Sequence, residues 1–180
     1  MMRAIFTLLA LMLAAMPVAS RAEVVVTFWS HMRDQNYPHA FLTMQGRVDG
    51  TGEMVDTNIG FTAVSASPMV LIGPVAGRME TVSAGYMARP ATRPHFALRL
   101  DDAQFARLRA MIAQWTAHAQ PSYSLSRRNC VHFVMEAAAL LGLTVNRGSD
   151  NFRKPRDFLN EIMVLNPQLA PLAGGVAPVR

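Results

Sequence analysis

Residues 129–142 read Asn-Cys-Val-His-Phe-Val-Met-Glu-Ala-Ala-Ala-Leu-Leu-Gly. Asparagine is a strong helix N-cap and glycine a common stop, so the stretch predicts a helix from Cys130 to Leu141. One face of that helix carries Cys130, Val134, Ala137 and Leu141, an apolar stripe that needs a partner to be buried. Upstream, Phe105, Leu108, Met111, Ile112 and Trp115 recur at helical spacing and predict a second helix over 102–118. Asp101 and Gln104 supply a capping-box start for it. A short third helix is expected over 156–165.

Before residue 101 the period changes. Residues 23–29 (EVVVTFW) are β-branched and aromatic and read as a strand. Residues 39–45 and 54–64 flank a glycine-bearing stretch at 46–52, which predicts a hairpin with a long loop. Further strands are expected at 69–72, 79–87 and 95–100. The partner of the helical stripe is therefore a mostly antiparallel sheet of about five or six strands, packed on two or three helices in an α+β domain.

The chain has 180 residues, 51% apolar and 16% charged, enough for one domain with its own core. No block of 20–50 residues recurs and no heptad run is present, which excludes solenoids and coiled coils. Residues 4–19 (AIFTLLALMLAAMPVA) follow Arg3 without a charge, and Ser20-Arg21-Ala22 places small residues at the −3 and −1 positions of a cleavage site. A signal peptide over 1–22 is expected, then a domain over 23–166 and a loose tail over 167–180. The apolar run is too short to span a bilayer comfortably, and no later segment approaches that length, so export to the periplasm or beyond, without a membrane anchor after cleavage, is expected. Removing 1–22 takes two arginines from 17 basic residues against 12 acidic ones, leaving +3. These charges are scattered, which argues against nucleic-acid binding.

A single cysteine, Cys130, cannot form an internal disulfide. At a helix start, free amides and the helix dipole are expected to lower a thiol pKa and favour the thiolate nucleophile. Five histidines are available as its base. His132 lies about 200° around the helix from Cys130, His118 ends a helix, and His95 follows Pro94 at a strand start and reads as structural or exposed. His39 opens a strand, and His31, in a polar loop, is the reserve base.

At this point a resemblance enters. Residues 39–46 (HAFLTMQG) resemble the histidine strand of NlpC-like cell-wall peptidases, and residues 123–134 (YSLSRRNCVHFV) resemble the Asn-Cys-x-x-Phe-Val cysteine helix of papain-like enzymes in that superfamily. The histidine segment comes first here, which is similar to the circularly permuted branch that includes lecithin:retinol acyltransferase-like proteins. The resemblance implies Cys130 as nucleophile, His39 as base and a third polar group orienting the imidazole. In residues 53–57 (EMVDT), Asp56 takes the place of the family's third histidine, and Asn58 on the same strand face is the alternative. The backbone N–H of Cys130 would stabilise an oxyanion, with Asn129, Tyr37 and Tyr123 as supporting groups.

The expected function is an exported cysteine hydrolase cleaving an amide bond in cell-wall peptide through an acyl-enzyme on Cys130. Its alternatives are a lipid ester or amide hydrolase or acyltransferase of the same fold, and a non-catalytic binding module with a buried cysteine. No metal or cofactor is expected: HxxxH and CxxC spacings and phosphate-cradling glycine loops are missing, and the 13 methionines are dispersed.

Overall fold

The computed structural model describes residues 24–169 apart from 33, 35–36, 66–67 and 119–122. The stretch 1–22, read above as a signal peptide, and nearly all of the expected tail lie outside the described residues. Five strands, β1 (Val24–His31), β2 (His39–Arg47), β3 (Met54–Ala63), β4 (Gly77–Glu80) and β5 (Thr92–Leu100), form one antiparallel sheet in the order β4-β3-β2-β1-β5. Among the described residues four helices accompany it: α1 (Ala84–Met87), α2 (Asp102–Ala117), α3 (Cys130–Leu140) and α4 (Pro155–Leu165). The architecture is α+β.

Alternation along each strand divides the sheet into two faces. Ala40, Leu42 and Met44 of β2, with Val24, Val26 and Phe28 of β1 and Phe96, Leu98 and Leu100 of β5, join the buried core with the helices. Phe28, Phe61, Phe96, Phe133 and Phe158 are each at most 1% exposed. A side chain so buried contributes roughly 1.5–3 kcal/mol through the hydrophobic effect. On the opposite face, Trp29 stacks on Phe41 and donates to the Thr43 hydroxyl at 3.0 Å. Tyr86 of α1 covers Phe41 edge-on there.

Both expected N-caps form. Asp101 accepts from the Gln104 amide, and Asn129 caps α3. α3 is buried more widely than one stripe: Val131, Phe133, Met135 and Ala138 are enclosed along with Cys130, Val134 and Ala137. Trp115 of α2 meets Phe133 edge-on and donates to Glu136 at 2.8 Å.

Two expected strands are corrected. Residues 69–72 are apolar and β-branched, yet Pro68–Leu71 is a 3-10 turn, because Pro68 and Pro74 bracket a run too short to find a ladder partner. The stretch 79–87 is divided between the end of β4 and α1, where the Ser83 hydroxyl accepts from the Tyr86 amide and starts a helical turn.

Candidate active site

Asn129 shapes the entry to α3. Its Oδ1 accepts from the amides of Val131 (2.9 Å) and His132 (3.3 Å), while its Nδ2 donates to the carbonyls of Leu125 and Phe152, both at 2.8 Å. The His132 ring is held against the same cap and stacks on Phe152, with centroids 4.4 Å apart. Cys130, at the first position of α3, is thereby delivered to one end of the sheet. The backbone amides of Ala40, the residue after His39, of Val131 and of Cys130 itself all favour the charged form of its sulfur. The β2–β3 ladder ends with Phe41 opposite Gly60, next to Ala40.

His39 reaches this place from the other side. It stacks with Phe41, and strand alternation puts both on the face away from α3. Gly60 makes room for its ring: a Cβ there would stand 2.6 Å from His39 Nε2 and 3.0 Å from Phe41 Cβ. Cys130 and His39 both line a cavity of about 660 Å³ at the end of the sheet. Its walls include Val70, Leu71, Val82, Tyr86, Tyr123 and Phe152, and among its charged lining groups are Glu80 and Arg153. The Glu80 carboxylate is held by Arg78, at 2.9 and 3.0 Å.

The electrostatics depart from the expectation of a low thiol pKa. Burial pushes the Cys130 thiol up to about 11, even though the Ala40, Val131 and Cys130 amides work in the other direction. Burial, together with repulsion from His31, brings His39 down to about 4. Desolvation thus outweighs the first-turn amides, and both groups favour their neutral forms. Tyr86 and Tyr123 are pushed upward by burial and by Cys130, so each phenol keeps its proton as a donor.

The structure brings Cys130, His39, Tyr37 and Tyr123 to one cavity, with Asn129 at its edge. The other predicted residues stand elsewhere or are otherwise committed. Asp56 pairs with Gln45 and accepts from its side chain at 3.1 Å, exposed and six residues along β2 from His39, roughly 20 Å at ~3.3 Å per residue. Asn58 is spent on Val82, donating to its carbonyl and accepting from its amide, and so braces the cavity wall from behind. Asn129 has both side-chain polar atoms committed and acts as a positioning residue for α3, not an oxyanion donor. Tyr37 is 66% exposed, at the rim. His31 pairs with His39 across β1 and β2 but is fully buried, with Nδ1 on Thr92 at 2.8 Å and Nε2 on Asp34 at 3.0 Å. That leaves it no ring nitrogen for the reserve role.

Three residues of the site were not singled out by the sequence. Gly60 reads as an ordinary strand glycine until β2 is laid beside it. Glu80 pairs with Gly60 across β3 and β4, and Tyr86 lies in a stretch that reads as strand. His95, by contrast, is structural: it bonds Ser30 at 2.8 Å and Asn160 at 3.0 Å. Among the described residues no cluster of three metal-ligating side chains is present, and no helix is long and apolar enough to cross a membrane. No family model, curated protein or solved structure matches the chain.

Proposed function

We propose that this protein is a cysteine hydrolase that acts by acyl transfer, with Cys130 as nucleophile and His39 as general base. The observation that carries the reading is the convergence of a helix-start thiol and a strand histidine on one cavity, from opposite faces of the sheet. Both groups rest neutral. As the sulfur attacks an amide or ester carbonyl, its proton passes to the His39 imidazole, the S–C bond forms and the carbonyl electron pair moves to oxygen. The first-turn N–H of Cys130 stabilises that oxygen. Collapse breaks the bond to the amine or alcohol, which takes the proton from His39. Water, deprotonated by His39, then releases the acid and restores the thiol.

Export, expected from residues 1–22, makes cell-wall peptide the first substrate class of this reading. A lipid ester or amide is the second, favoured by walls built from Val70, Leu71, Val82 and Phe152. The test is intact-mass analysis after exposure to p-nitrophenyl esters. A single acyl adduct on Cys130, lost in both Cys130→Ala and His39→Ala, is the expected result. A folded protein that never acylates, while its denatured thiol labels freely, would return the chain to the binding-module reading.

A further inference from the structure

The surface beside the Cys130 cavity carries a feature that hydrolysis does not require. From residue 57 to residue 77 there is no charged side chain. A stretch of that composition is ordinarily buried, yet much of this one lies at the surface: Leu71 is 75% exposed, Ile72 78%, Met69 56% and Val64 42%. The backbone holds it there. The 3-10 turn Pro68–Leu71 is closed by the amides of Ile72 and Gly73, which both donate to the Met69 carbonyl, at 3.0 and 3.1 Å. Its base is pinned by the Val64 amide on the Ala76 carbonyl and by paired bonds between Val75 and Tyr123. Leu71 and Ile72 are therefore adjacent apolar side chains presented on a braced loop. Pro68, Val70 and Leu71 also line the cavity, so the patch is continuous with the cavity mouth.

An exposed apolar patch marks an interaction surface. This one consists of four exposed apolar side chains, Val64, Met69, Leu71 and Ile72, against roughly 20–30 residues a side for a stable protein interface. Residues 57–77 also carry no charge of their own to give a protein partner its register. A lipid surface asks for neither. It accepts a small apolar protrusion without specific hydrogen bonds, and residues 23–180, with a formal charge of +3, are drawn toward anionic headgroups. We infer that the Pro68–Ile72 lip docks the protein on an anionic lipid surface, with the mouth of the Cys130 cavity facing the bilayer. This docking goes beyond the hydrolase reading and does not depend on it.

The single cysteine makes the test direct. In the full chain carrying Cys130→Ala, Ile72→Cys is labelled with an environment-sensitive fluorophore. Ala106→Cys, exposed on α2, serves as control for attachment through any other part of the chain. Both proteins are titrated with phosphatidylglycerol-containing vesicles. A blue shift and several-fold intensity gain at position 72 but not at 106, reduced at least threefold by Leu71→Ser, is the expected result. Vesicle-bound protein with no change at 72, or an equal change at both positions, would overturn the proposal. So would a change at 72 that follows protein concentration without lipid, which would assign the lip to self-association.

Discussion

At Gly60 one methyl group would stand 2.6 Å from the His39 imidazole, which lines the same cavity as Cys130, so the absence of a side chain is part of the candidate site. Gly60→Ala is expected to push the His39 ring aside and lower acylation of Cys130 on the order of 100-fold, the usual penalty for a misplacement near 1 Å. Its melting temperature should stay within a few degrees of wild type. Ester kinetics beside thermal melting check this, and unchanged kinetics would mean that the ring does not need its seat. The neutral state of the pair makes a second prediction. With His39 at about 4, the base is available throughout mildly acidic solution, so kcat/KM should hold from pH 8 down to pH 5 before falling. With the thiol at about 11, alkylation of Cys130 by iodoacetamide should be slow at pH 7 and climb through pH 9–11. A plateau already reached at pH 7 would indicate a resting ion pair.

Among the elements, α3 does the most to assemble the site, and its leverage comes from Asn129. Losing a cap costs about 1 kcal/mol, and the half-buried Leu125 and Phe152 carbonyls would lose their donor as well. Asn129→Ala is accordingly expected to lower stability by about 2–3 kcal/mol in urea unfolding. Asn129→Asp retains the acceptor and loses both donated bonds, so it should fall between Ala and wild type. If Asp matched wild type, the ties to Leu125 and Phe152 would carry no weight. The same scale explains where the sequence misled. Helix signals at 101–118 and 129–142 are local, made of caps and periodicity, and α2 and α3 formed as read. The strand signal at 69–72 is only a preference for β-branched residues, and it yields when two prolines and the lack of a neighbouring edge deny it a ladder.

For the whole molecule, the tie between sheet and α4 runs through His95, which links Ser30 of β1 to Asn160 of α4. Burial brings His95 down to about 4. A histidine with a depressed folded pKa is harder to protonate folded than unfolded. Its contribution is therefore present above the unfolded value near 6.5 and lost as pH falls toward 4, by about 3 kcal/mol at most. Cys130 acts in the opposite window: with its pKa raised, its contribution is present below the ordinary thiol value near 9 and lost as pH rises through about 11. Urea unfolding across pH 4–10 should show stability declining at both ends. His39, lowered to the same value, adds a like share, so a reduction of the acid slope in His95→Gln would assign part of it to His95, and an unaltered slope would leave it to His39 and other groups.

By itself the amino-acid sequence determined the α+β class, the helix carrying Cys130, the hairpin begun by His39 and the single cysteine, because each rests on residues near one another in the chain. The tertiary structure alone decided what surrounds them. Which residue lies beside His39 depends on the β2–β3 register, and that register brings Gly60 there and leaves Asp56 opposite Gln45. Whether a helix-start thiol is ionised depends on how deeply the sheet and helices enclose it, and enclosure outweighs the local amides. Register and desolvation are sums over contacts distant in sequence, so no local pattern contains them.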